Sequence, residues 1–284
     1  MSKIIFVVGS PRSGTTYLSR TLGLAENAAY LGESNLFCLS AARIDRAYYA
    51  RQMNPRDLFP YNRFFMRMLN RTDGLRKKDR IRDAVEHMLR MSKVEEYGLE
   101  PSDTLYKVQN IELNQGERQE LEALTARLRS CLREQGLNAY AHAYFDAYAR
   151  RKDGRMIIEK TPLHLRYLPI LHAAFPESKV VLICRDKKEC LRSYLKTFGK
   201  GPGCNRFLPS ALARKKVWSE LLADIRREEW AAQQPWVTCV EFNDFVARPT
   251  EVASSLADRL ELRFDWHKIK NDFPEYIQGD TAES

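Results

Sequence analysis

The sequence predicts an α/β fold, a central parallel sheet flanked by helices in a three-layer sandwich, and three observations predict it. Residues 4–8, 156–158 and 180–183 are short apolar runs rich in β-branched side chains, the composition of strands buried on both faces. Each run gives way to residues that turn the chain or open a helix, and then to a stretch of helical periodicity, the alternation that builds parallel sheets. Between the first and second of these units, residues from about 37 to 152 read as mostly helical and are expected as an insertion into one domain covering 1–284.

The first join carries the most chemistry. After Ile4-Ile5-Phe6-Val7-Val8 come Gly9, Pro11 and Gly14, which supply a tight turn, and Ser13, Thr15 and Thr16, small hydroxyl residues where a helix from about 13 to 22 begins. A helix start leaves backbone N–H groups without intrahelical partners, and the positive end of the helix dipole and the guanidinium of Arg12 converge on them. That is a cradle for a tetrahedral anion. Gly9 and Gly14 have the spacing of the Walker A loop, but the Lys that reaches the β/γ-phosphates of a nucleotide is replaced by Thr15.

Composition sets broad bounds. The 284 residues are enough for one sizeable core, and 46 Lys and Arg against 37 Asp and Glu leave a net charge of +9, which suits an anionic ligand without naming it. Six cysteines are scattered with no C-x-x-C pair, so neither a zinc site nor a disulfide framework is expected, and the thiols are read as reduced. No apolar run is long enough to span a membrane, so no membrane segment is expected and a cytoplasmic location is the simplest inference.

Along the chain, Tyr30 and Leu31 form a short second strand with Glu33 at its exit, on the carboxyl edge of the sheet where ligands of open α/β sheets bind. The aromatic and basic stretch 59–69 packs in a core or lines an acceptor pocket. Helices follow at 116–135, amphipathic through Leu121, Leu124, Leu128 and Leu132, and at 138–151, with Tyr140, Tyr144, Phe145 and Tyr148 on or near one face. The strand at 156–158 ends at Lys160-Thr161-Pro162, and a helix over 164–174 follows. The strand ending at Cys184 exits through Arg185-Asp186 into a helix over 187–198 that carries Ser193. Residues 199–203 are a basic, glycine-rich surface loop or a lid. A long helix over about 208–233, a last strand over 236–242 and Pro249 complete the pattern, with a frayed tail after Trp266.

Pro11-Arg12-Ser13-Gly14-Thr15-Thr16 behind a hydrophobic strand resembles the 5′-phosphosulfate loop of sulfotransferases that use 3′-phosphoadenosine 5′-phosphosulfate (PAPS). The resemblance extends to Lys160 at a strand end and to Arg185 with Ser193 eight residues later, and covers about 4–35 and 156–198. It implies a P-loop-like fold and a reaction that yields adenosine 3′,5′-bisphosphate without a metal. Arg12, Ser13, Gly14, Thr15 and Thr16 would hold the phosphosulfate, Lys160 the oxygen between phosphate and sulfate, and Arg185 and Ser193 the 3′-phosphate. The catalytic set would be Glu33, Lys160 and Arg12. A Gly-Glu pair follows the loop Arg at the same interval in tyrosylprotein sulfotransferases, which implies Glu33 as the base. The His that cytosolic small-molecule sulfotransferases place two residues after the strand-end Lys is absent, since position 162 is Pro. Glu159 and His164 stand as alternatives to Glu33, although Glu159 alternates with Lys160 along the strand and should point away from it.

Two other readings compete, a P-loop nucleotide kinase, which Thr15 disfavours, and a non-catalytic polyanion or nucleic-acid binder, for which the basic runs 76–78 and 214–216 are more simply solvated surface. Nucleic acid is not the expected partner. The acceptor, a sugar, a peptide tyrosine or a small metabolite, and the oligomeric state are left open.

Overall fold

The structure, a computed structural model, describes residues 3–34, 36, 80–94, 108, 110–198, 211–267 and 269. The stretch 59–69, the loop 199–203 and the basic run 76–78 lie outside these residues.

Five strands form one wholly parallel sheet in the order β2-β3-β1-β4-β5. They are β1 (Ile4–Val8), β2 (Ala28–Gly32), β3 (Met156–Lys160), β4 (Lys179–Cys184) and β5 (Val237–Glu241). Every residue of β1 and β3 is buried, as the unbroken apolar runs require of strands covered on both faces. Helices α1 (Thr15–Gly23), α2 (Arg80–Ser92), α3 (Gln115–Gln135), α4 (Leu137–Arg151), α5 (Leu168–Ala174), α6 (Lys187–Phe198), α7 (Ala211–Ala232), α8 (Phe242–Ala247) and α9 (Pro249–Leu260) join them. On one face, Phe6 of β1 meets Phe145 of α4 edge-on at 5.8 Å, and Phe145 meets Phe175 at 5.4 Å. On the other, Ile5 and Val7 pack with Leu18 and Leu22 of α1, Phe245 of α8 and Leu256 of α9. The alternation of β1 side chains thus divides the protein into helix, sheet and helix layers.

Within the part of the expected insertion that the structure describes, α2, α3 and α4 bear out its helical character. Asn114 caps α3 in a capping box with Glu117, and Gly136, at φ 86°, ends that helix and starts α4. The tyrosines of α4 do line one face: Tyr148 donates to the Tyr30 carbonyl at 2.8 Å and Tyr144 to the Ala84 carbonyl at 3.3 Å.

The structure departs from the sequence expectation in three places. The helix expected over 164–174 is a 3-10 segment, Pro162–Tyr167, followed by α5, because Pro169 in the first turn of α5 has no N–H to continue an α-helical ladder from the residues before it. The last strand stops at Glu241, and Phe242 opens α8. Helix α9 was not anticipated; Pro249 starts it with a preset φ and Glu261, at φ 58°, closes it. No helix of the described residues is long and apolar enough to cross a membrane.

Helix α7 is fastened to the 3-10 segment by Arg166, which pairs with both carboxylate oxygens of Asp224 at 3.0 and 2.9 Å and with Glu220 at 2.7 Å. Arg166 is 9 % exposed and Asp224 not at all, so removing the guanidinium strands buried charge. Arg166→Met is expected to lower stability by about 3–5 kcal/mol, read as a shift of the urea midpoint at unchanged slope.

Candidate active site at the carboxyl edge of the sheet

The turn between β1 and α1 is tight, as its glycines lead one to expect. Ser13 N–H closes it on the Ser10 carbonyl at 3.0 Å, with Arg12 at φ 71° and Gly14 at φ 99°. A side chain at Gly14 would meet the Phe242 ring at 2.4 Å, and one at Gly9 would meet the Ile183 carbonyl at 2.6 Å. Both glycines are therefore fixed by close approach, Gly14 also by its left-handed backbone. No side chain caps α1, which leaves the first-turn N–H groups, those of Thr15 and Thr16 among them, without a side-chain partner. The Ser13 hydroxyl is buried without a hydrogen-bond partner, beside the cationic Arg12. An orphaned buried hydroxyl, uncapped amides and a guanidinium are the donor set an anion needs, and they fit a phosphosulfate group.

The second cationic exit lies against the first. Arg185, just past β4, donates from Nη1 to the Arg12 carbonyl at 3.2 Å, and Arg12 Nε donates to the Ser193 hydroxyl on α6 at 3.2 Å. Residues 12, 185 and 193, expected to act on the two ends of one ligand, are in direct contact. The Arg185 guanidinium lies 4.0 Å from the centroid of the Phe242 ring, and its Nε is buried without a partner. Phe242 thus touches both the turn and the second arginine. The sequence offered Phe242 only as part of a strand-end pattern.

Across the sheet, Lys160 at the end of β3 reaches Glu33, just past β2, with Nζ 2.5 Å from Oε1. The Lys160 side chain is 6 % exposed and that of Glu33 36 %, so the carboxylate is the member of the pair open to solvent. His87 of α2, which nothing in its local sequence singles out, accompanies them: its Nε2 lies 3.1 Å from the Leu31 carbonyl. Burial lowers the His87 pKa, and Lys160 and Arg90 push the same way, against the hydrogen bond to Leu31 and the charge of Glu33.

Glu159 and His164 are fully buried, and their side chains face each other with His164 Nδ1 3.0 Å from Oε2. The other Glu159 oxygen accepts from the Ser34 N–H at 3.1 Å, the Ser34 hydroxyl at 2.7 Å and the Thr161 hydroxyl at 2.6 Å. Burial alone would raise the Glu159 pKa, but the His164 charge and the hydrogen bonds from His164, Thr161 and Ser34 bring it below the ordinary carboxylate value. Among the described residues these bonds go to residues adjoining Glu33 or Lys160 and to His164, so the carboxylate ties the β2 and β3 exits together. Both side chains are thus closed to solvent, whereas the Glu33 carboxylate is open to it.

Among the described residues no cluster of His, Cys, Asp and Glu could hold a metal ion.

The family described as "Sulfotransferase family" matches residues 5–266. No curated protein matches the chain. Among solved structures, the chain is similar to the sulfotransferase domain from the curacin biosynthetic pathway (16 % identity, TM-score 0.48, 99 % of this chain and 81 % of that one). It is also similar to the sulfotransferase domain of the Synechococcus PCC 7002 olefin synthase (15 %, 0.48, 99 % and 80 %) and to a sulfotransferase from Mycobacterium tuberculosis H37Rv (16 %, 0.45, 100 % and 74 %).

The His87 environment makes stability depend on pH. Its folded pKa lies below the ordinary 6.5, so the unfolded chain takes up the proton more readily, and the His87 contribution is complete above pH 6.5 and lost as pH falls through the folded value. Glu159 adds a second loss below its ordinary 4.5, since its folded pKa is also depressed. The urea midpoint is expected to fall as pH drops below 6.5, and to fall less steeply in His87→Asn.

Proposed function

Because the chain belongs to the sulfotransferase family, we propose that it moves a sulfuryl group from PAPS to an acceptor hydroxyl or amine by in-line displacement. One observation carries the choice of donor: the hydrogen bond from Arg185 to the Arg12 carbonyl, which puts both anion-gripping strand exits on one surface. Two grips in contact suit a ligand with phosphates at both ends of one adenosine. A nucleotide triphosphate would call for the Walker lysine, and Thr15 stands in its place.

When bound, the donor supplies the sulfuryl group and a phosphate leaving group. The chain supplies the rest. The first-turn amides of α1, the Ser13 hydroxyl and Arg12 hold the 5′ end, with Gly14, Thr15 and Thr16 shaping that turn, while Arg185 and Ser193 hold the 3′-phosphate through fork-shaped and hydroxyl donors. Lys160 steadies charge on the leaving oxygen, and Glu33 takes the acceptor's proton at its exposed carboxylate. The two roles are linked. A 6 % exposed ammonium needs an anionic neighbour throughout, so Glu33 is released as a base once Lys160 turns to the donor's leaving oxygen. Glu159 holds the backbone beside both.

The same proposal treats 1–284 as one catalytic domain, with the helices of the insertion on the acceptor side. A cytoplasmic location goes with it, supported by Cys131, Cys184, Cys190 and Cys239, which are all free thiols.

Adenosine 3′,5′-bisphosphate is expected to raise the melting temperature without Mg²⁺ and ATP to have little effect, since only ligands of the native fold stabilise it. The reverse pattern, with a Mg²⁺ requirement, would return the chain to the kinase reading. Glu33→Gln is expected to retain bisphosphate affinity and lose turnover by at least about 10²-fold; near-normal turnover in a sulfate-transfer assay would remove Glu33 from the mechanism.

A further inference from the structure

A buried carboxylate that plays no part in the chemistry above lies beneath the two phosphate grips. Glu228 of α7 accepts a hydrogen bond at Oε1 from the hydroxyl of Ser10, in the turn after β1, at 2.7 Å. Lys187, in the first turn of α6 after β4, donates to the same oxygen at 2.7 Å and to Oε2 at 2.6 Å, and also to the main-chain carbonyl of Arg185 at 3.1 Å. Ser10 is fully buried, Lys187 7 % exposed and Glu228 8 % exposed. Three elements distant in sequence meet on one carboxylate.

A charge pair buried this deeply recovers its desolvation cost only when geometry and additional hydrogen bonds are good, so such pairs are weak contributors to net stability. What this one does contribute is distance. Ser10 is two residues before Arg12, and the Arg185 carbonyl belongs to the residue that grips the other end of the ligand. Helix α7 is itself fixed, because Asp224, one helical turn before Glu228, is held on both oxygens by Arg166.

We propose that Glu228 is a positioning residue that sets the separation between the Arg12 turn and Arg185, so that one rigid molecule carrying phosphates at both its 5′ and 3′ positions is gripped at both ends at once. The inference rests on the donor reading given above. Gripping two ends of one rigid ligand strengthens binding only if the grips are held at the ligand's own spacing. A glutamine at 228 keeps one acceptor oxygen but has no charge, so it loses the second bond to Lys187 and leaves that buried ammonium without its counter-charge.

The test is a ligand comparison on the full chain. Calorimetry gives the dissociation constants of adenosine 3′,5′-bisphosphate and of adenosine 5′-monophosphate, and their ratio measures what the second phosphate adds. The ratio is measured for the unaltered protein, for Glu228→Gln, and for the double variant K187M/E228M, in which no unpaired charge is left buried; circular dichroism confirms folding. Should Glu228→Gln fail to fold, the double variant carries the test. The ratio is expected to shrink at least about tenfold in the variants, while monophosphate affinity changes less than about threefold. A purely structural role for the pair would weaken both ligands alike, and an unchanged ratio in the folded double variant overturns the proposal. If the unaltered protein gains nothing from the second phosphate, the donor reading fails and this inference with it; a large gain that survives in the variants removes the positioning role alone.

Discussion

The site depends on β1 having β3 on one side and β4 on the other. The chain leaving β1 runs toward β2, while the chain leaving β4 runs toward β5, so the crevice where strand order reverses opens between their carboxyl ends. That geometry brings Arg12 against Arg185, 173 positions later. It also demands closeness. The turn after β1 can sit against the exits of β4 and β5 only because Gly9 and Gly14 have no side chains, since a Cβ would stand 2.6 Å from the Ile183 carbonyl in one case and 2.4 Å from Phe242 in the other.

The exits are also fixed from below, by two carboxylates with parallel arrangements. Glu159 accepts from Ser34 after β2 and Thr161 after β3, and Glu228 from Ser10 after β1 and Lys187 after β4. Each therefore bridges a pair of strand ends on either side of the β3–β1 boundary. That boundary is joined by backbone, with Gly9 N–H donating to the Pro162 carbonyl at 3.5 Å. Buried polar groups are costly unless fully partnered, and a network that is fully partnered admits few alternative arrangements. The polar residues beneath the edge accordingly specify where the residues above it stand.

These layers were unequally legible in the sequence. The three principal strands and the turn at Gly9–Gly14 could be read because their signals are local: apolar runs, glycine spacing, hydroxyls at a helix start. Strand alternation also anticipated that Glu159 would not share Lys160's direction, and its bonds to Ser34, Thr161 and His164 show what it faces instead. His87 and Glu228 could not be read. His87 meets a carbonyl 56 positions away and Glu228 a hydroxyl 218 positions away, and each lies in an ordinary polar helix where a histidine or glutamate needs no special explanation. The break at Pro169 was not anticipated, since one helix was read through it over 164–174.

The allocation of charge at the β4 exit carries the synthesis furthest. Arg185 and Lys187 are two residues apart, yet their surroundings give them opposite fates. Lys187 is buried with both oxygens of Glu228 and presents no charge to a ligand. Arg185 lies over the neutral face of Phe242 at 4.0 Å and meets the Glu189 carboxylate at 3.7 Å, a long distance for an ion pair. An aromatic face orients a guanidinium without consuming its hydrogen-bond donors, whereas a carboxylate occupies them. A basic chain is therefore not indiscriminately sticky at this edge. Of the two cations at this exit, Lys187 is neutralised by Glu228 beneath the edge, and Arg185, which we propose meets the ligand, is held by an aromatic face that leaves donors available.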